Sequence, residues 1–69
     1  SGRVPVKPGE FYVADWVADI QNILEPIAEY YRGRFEWSLP EDDEARWFTD
    51  QMRLTQIVLN LCENALKFS

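Results

Sequence analysis

Asp50-Gln51-Met52-Arg53-Leu54-Thr55-Gln56-Ile57-Val58-Leu59-Asn60-Leu61-Cys62-Glu63-Asn64-Ala65-Leu66-Lys67-Phe68-Ser69 is the stretch on which the fold turns. Leu54, Ile57, Val58, Leu61, Ala65 and Phe68 recur at steps that make one apolar helical face. Asp50 stands just ahead of them, a good N-cap because its carboxylate can accept from an otherwise unpaired first-turn amide. The spacing predicts a helix over about 51–68, about five turns and roughly 27 Å long. At about 100° per residue, Asn64 lies about 40° from Asn60, and Lys67 about 20° to its other side. Two amides and an ammonium thus share one narrow stripe away from the apolar face, extended toward the N-terminus by Arg53 and Gln56. Asn is about 0.7 kcal/mol worse than Ala in a helix interior. Two of them aligned on one face point to a use, although spacing alone leaves a plain solvated surface as the alternative.

Working upstream, Phe35, Trp37 and Leu39 alternate with Arg34, Glu36 and Ser38, a period of two that predicts a half-buried strand. Residues 45–49, with Trp47 and Phe48, form a second strand candidate, and the charged turn 40–44 between them suggests a hairpin. Before these, Val13, Val17, Ile20, Leu24, Ile27 and Tyr31 repeat at steps of four and three, one face of a helix that Trp16, Ile23 and Tyr30 widen. Asp15 suits its first turn. Pro26 removes the bond to the Asn22 carbonyl and predicts a kink or two short helices, and Gly33 reads as the stop. Residues 1–9 read as a linker or lead-in strand, since Pro5 and Pro8 forbid a helix interior. Residues 10–13 can be extended. The predicted order is strand, helix, strand, strand, helix: an α/β chain with helices on one face of a mixed sheet.

The chain's 69 residues allow one small core. Four Phe, three Trp and three Tyr supply much core material, which argues against disorder. Seven basic against twelve acidic side chains give a net charge of −5, so a nucleic-acid partner is not expected. The acidic run 41–44 reads as a solvated turn. Histidine is absent, which removes His-based acid–base catalysis and the commonest zinc sites. Cys62, the single cysteine, reads as a small core residue and has no internal disulfide partner. Trp16, Trp37 and Trp47 read as core. No apolar run approaches the ~20 residues of a membrane span, and no signal peptide is visible, so direct membrane contact is not expected.

The 50–69 segment closely resembles the N-box of the ATP-binding catalytic domain of bacterial sensor histidine kinases, D-x-x-R-L-x-Q-I-x-x-N-L-x-x-N-A-x-K-F-[ST]. Upstream, Gly2-Arg3-Val4 followed by Phe11-Tyr12-Val13 resembles the exit from that family's dimerisation helices into the domain's first strand. Leu24-Glu25-Pro26-Ile27-Ala28 resembles its L-x-P-x-A. The resemblance implies a lead-in over 1–9 and the N-terminal half of the ATP-binding α+β sandwich over 10–69. It implies Mg²⁺ coordination by Asn64 beside the ATP phosphates. Asn60 would lie one turn earlier against those phosphates, and Lys67 would stabilise their charge. Where related gyrase-type ATPases carry a Glu base, Asn60 is an amide and cannot take a proton, which suits transfer to histidine better than hydrolysis. No residue of the chain is implied as a certain catalytic group.

The parent implied by this resemblance is a cytoplasmic or inner-membrane-anchored kinase using ATP and Mg²⁺. It would phosphorylate a histidine of its own dimerisation domain and pass the phosphate to a response regulator in two-component signalling. The family's adenine-binding D-x-G-x-G segment and its phosphoaccepting histidine do not occur here. The chain alone is therefore expected to bind neither ATP nor Mg²⁺, to be inactive, and to self-associate through Phe35, Trp37, Trp47 or Phe48. Alternatives are a noncatalytic dimerisation or interaction module on the same scaffold, or an anti-sigma-type serine kinase of the same superfamily.

Overall fold

A computed structural model describes residues 6–39 and 41–68. Strand β1 (Gly9–Tyr12) leads into helix α1 (Val13–Tyr30); strand β2 (Arg46–Thr49) leads into helix α2 (Gln51–Lys67). The two strands pair antiparallel, with Phe11 opposite Trp47 and Tyr12 opposite Arg46. Among the described residues this is an α+β arrangement of two strand–helix units side by side. Residues 1–5 of the expected lead-in, Pro40 of the charged turn and Ser69 lie outside the described residues.

Helix α1 has no side-chain N-cap. Its first amide, at Val13, instead donates to the Ala45 carbonyl at 3.0 Å, which ties the start of α1 to the approach of β2. This satisfies one of the four donors that a helix start leaves unpaired. Val13, Trp16, Val17, Ile20 and Leu24 form the buried cluster, and Phe11, Ile27, Phe35, Leu54, Val58, Leu59 and Cys62 pack against it. Ile20 and Leu24, each only 1% exposed, mark its centre. The core therefore lies mainly between the two helices, with the β-pair closing one end.

That closure is aromatic. Trp16 meets Phe11 and Trp47 at ring-centroid distances of 6.0 and 5.9 Å, in tilted geometry. Its indole N–H donates to Thr55 Oγ at 2.8 Å, and the Thr55 hydroxyl donates to the Gln51 carbonyl at 2.7 Å. One side chain of α1 thus touches both strands and the first turns of α2. On the opposite sheet face Arg46 and Glu10 pair at 2.7 Å, both more than half exposed, so the pair contributes little.

The structure corrects several expectations. Residues 34–39 form no strand, and the 35–39/45–49 hairpin is replaced by the β1–β2 pair. Ala45, just before β2, donates its N–H to the Asp42 carbonyl and accepts from Val13, so the approach to β2 runs beside the start of α1 rather than beside residues 34–39. Phe35 drops into the core instead, with Trp37 against it at 6.0 Å. Helix α1 runs unbroken through Pro26 rather than splitting in two. It ends with Arg32, not a glycine, in the left-handed region at φ 56°. The Gly33 N–H reaches the Ala28 carbonyl and the Arg32 N–H that of Glu29, the paired closing bonds of a Schellman motif. Gly33 serves a different need, because a Cβ there would come within 2.5 Å of the Leu66 side chain. Ile23, Tyr30, Trp37 and Trp47 are exposed rather than core.

Candidate functional site

The site candidates all lie on α2, whose start is fixed by Asp50. Its Oδ1 accepts from the Arg53 N–H at 3.0 Å, and its backbone carbonyl accepts the first helical bond, from Leu54. The inward arc of α2 runs through Leu54, Val58, Leu59, Cys62 and the buried Leu66. This arc is turned from the expected one. Leu61 is 63% exposed and Phe68 78%, and Ile57 and Ala65 are also exposed.

Taking Cys62 as the middle of the inward arc, Asn60 and Asn64 each point about 160° away from it, on either side of the helix's outermost line. Lys67 lies about 140° away by the same spacing. The structure thus brings Asn60, Asn64 and Lys67 onto one outward stripe, with successive Cβ atoms roughly 5–6 Å apart. All three are exposed. Neither asparagine side chain has a hydrogen-bond partner among the described residues. The Lys67 ammonium rests 5.6 Å from the centre of the Phe68 ring, in the last turn of α2. Its charge there also suits the negative end of the helix dipole.

Beside the stripe, Ile57, Leu61 and Phe68 form an exposed apolar flank about 60–100° from Asn60. The amides therefore border an apolar margin as well as water. Among the described residues no cluster of three or more acidic, Cys or His side chains could by itself hold a metal ion. Asn64 can still serve a hard cation that draws most of its oxygens from water and phosphate, since such an ion needs only one or two protein ligands. The acidic turn residues Asp42 and Asp43 border a shallow cleft over Val13, Val17 and Gln21 of α1, which contains none of the stripe residues. Cys62 faces the core, and burial pushes its thiol above the ordinary value, away from reactivity at neutral pH.

Two contacts of α2 were not foreseen. One is the Trp16–Thr55 bond; the other is a second hydrogen bond on Asp50, whose Oδ2 accepts from the Lys7 N–H at 2.9 Å. Nothing in local sequence signals a partner 43 positions away. Among the described residues no helix is long and apolar enough to cross a membrane.

No family model matches the chain, and no solved structure gives a significant match. Curated relatives do. The chain is similar over 68 residues, 99% of its length, to the autoinducer 2 sensor kinase/phosphatase LuxQ of Vibrio parahaemolyticus, with 35% identity. LuxQ of Vibrio vulnificus matches at 34% and that of Vibrio harveyi at 32%, each again over 68 residues. The chain spans about 8% of the length of these relatives. These relatives are sensor kinase/phosphatases by name.

Proposed function

We propose that these residues are the phosphate-side segment of the ATP-binding domain of a sensor histidine kinase. The observation that carries the reading is the outward stripe of α2: a D-x-x-R-L…N-x-x-x-N-A-x-K-F sequence whose two amides and ammonium are exposed together, the amides without a hydrogen-bond partner among the described residues. Similarity to sensor kinases along nearly the whole chain supports it.

On this reading Asn64 holds Mg²⁺ through its amide oxygen, Asn60 donates to phosphate oxygens from its NH₂ group, and Lys67 offsets their charge at the end of the helix. Bound Mg²⁺ would neutralise the phosphates and leave them open to attack by the histidine of the dimerisation domain. The chain's own part is to fix these donors on one rigid element. The inward arc of α2 locks the helix against α1, Trp16 and Asp50 fix its first turns, and the stripe is left free to meet a ligand. Asn60 cannot abstract a proton, so water is not activated there and the phosphoryl group is kept for the protein acceptor. The parent would then pass the phosphate to a response regulator.

The test is Asn64→Ala in the sensor kinase that carries this segment. Autophosphorylation with Mg²⁺-ATP should fall at least about 100-fold, with circular dichroism and thermal unfolding nearly unchanged, since Asn64 is exposed on the outer side of α2. Near-normal phosphorylation by this variant would overturn the assignment. The exposed flank Ile57, Leu61 and Phe68 favours a second reading, a noncatalytic docking module. In that case Asn64→Ala would leave function intact, and Leu61→Asp would abolish it.

A further inference from the structure

The Asp50 carboxylate divides its two oxygens between two parts of the chain. Oδ1 accepts from Arg53 in the first turn of α2, at 3.0 Å, and Oδ2 accepts from the backbone N–H of Lys7, at 2.9 Å, just before β1 begins. An N-cap needs only the first bond. The second fastens the incoming chain directly to the helix that carries Asn60, Asn64 and Lys67. Lys7 is exposed and belongs to no helix or strand, so the β1–β2 ladder does not hold it. Charge-assisted bonds to a carboxylate are the stronger kind, and this one closes a loop of 43 positions. From here we infer that Asp50 is a positioning residue, which clamps the incoming segment at Lys7 to α2 so that the stance of the polar stripe follows that of the preceding chain. The clamp stands on geometry alone; its consequence for phosphorylation rests on the proposed kinase reading.

Two substitutions separate the clamp from the cap. Asp50→Ser keeps a hydroxyl that can accept from Arg53, and has no second oxygen for Lys7. Asp50→Asn also keeps one acceptor, and its NH₂ group meets the Lys7 N–H donor to donor. In the 69-residue chain, amide hydrogen exchange at Lys7 should accelerate at least about tenfold in both variants, while the Arg53 amide changes by less than about threefold. Unchanged exchange at Lys7 in both variants would overturn the clamp. In the parent kinase, ATP affinity should stay within about twofold, and the autophosphorylation rate should fall about tenfold, because binding is local and transfer needs the domain aimed at its acceptor. A loosened Lys7 with an unaltered rate would overturn the positioning role. If the unmodified parent binds no ATP, the kinase reading fails, and the exchange result at Lys7 still decides the clamp.

Discussion

Leu61 and Leu66 show how little sequence spacing decides at a single residue. Steps of three and four from Leu54 select Leu61, yet the side chain is 63% exposed, while Leu66, outside that series, is buried against Gly33. Apolar residues cover so much of α2 that several helical faces fit the same period, and only the partner helix chooses among them. The choice has a measurable consequence. Leu66→Ala should cost about 2–5 kcal/mol by leaving a core cavity, whereas Leu61→Ala should stay within about 0.5 kcal/mol; urea denaturation of the two variants distinguishes them. The asparagine stripe was more legible, because it required only that the helix form and that its polar side face out. Gly33 was recognised as the site of a helix stop, but the left-handed residue is Arg32. The Arg32 and Gly33 N–H groups close onto the Glu29 and Ala28 carbonyls around Arg32, while Gly33 sits against Leu66 of the other helix, a contact that local sequence does not signal.

Among the elements, α2 was the most legible. Its cap, period and length all agreed, and it runs Gln51–Lys67 with Asp50 capping. The hairpin failed for a reason of a different order. Alternation marks a segment able to lie on a half-buried surface, but a strand also needs a partner edge. β2 pairs with β1, and residues 34–39 have alternation without pairing to either strand. Cap chemistry gives α2 a pH signature. The Lys7 and then the Arg53 N–H hold the Asp50 carboxyl below its ordinary 3.8. A carboxylate whose native pKa is depressed contributes its stability above the unfolded value, and loses it as pH falls through the native one. Exchange protection at Lys7 and Arg53 should therefore be flat from neutral pH down to about 4 and collapse below that. Asp50→Asn should show no such step at Lys7.

At the scale of the molecule, the principal extents are 40 × 34 × 15 Å, a slab too thin to bury both sides of its elements. Phe48, Met52 and Phe68 are each more than 70% exposed, and Trp47 is half exposed. In a two-stranded sheet each strand also keeps one open edge. We expect the isolated chain to pair with a second copy through the Trp47–Phe48 strand, since a two-fold contact satisfies both copies at once. Light scattering at tens of micromolar should then report a dimer, and Phe48→Lys should return a monomer. A monomer without the substitution would show that the slab is stable uncovered. The outward stripe of α2 is tested most directly by paramagnetic broadening in the proposed ATP-binding domain of the parent, with Mn²⁺ in place of Mg²⁺. With Mn²⁺ and ATP together, the side-chain amide signals of Asn64 and then Asn60 should be the first in α2 to vanish, ahead of those of Gln51 at its far end. Binding of Mn²⁺-ATP that leaves both asparagine signals sharp would contradict the account.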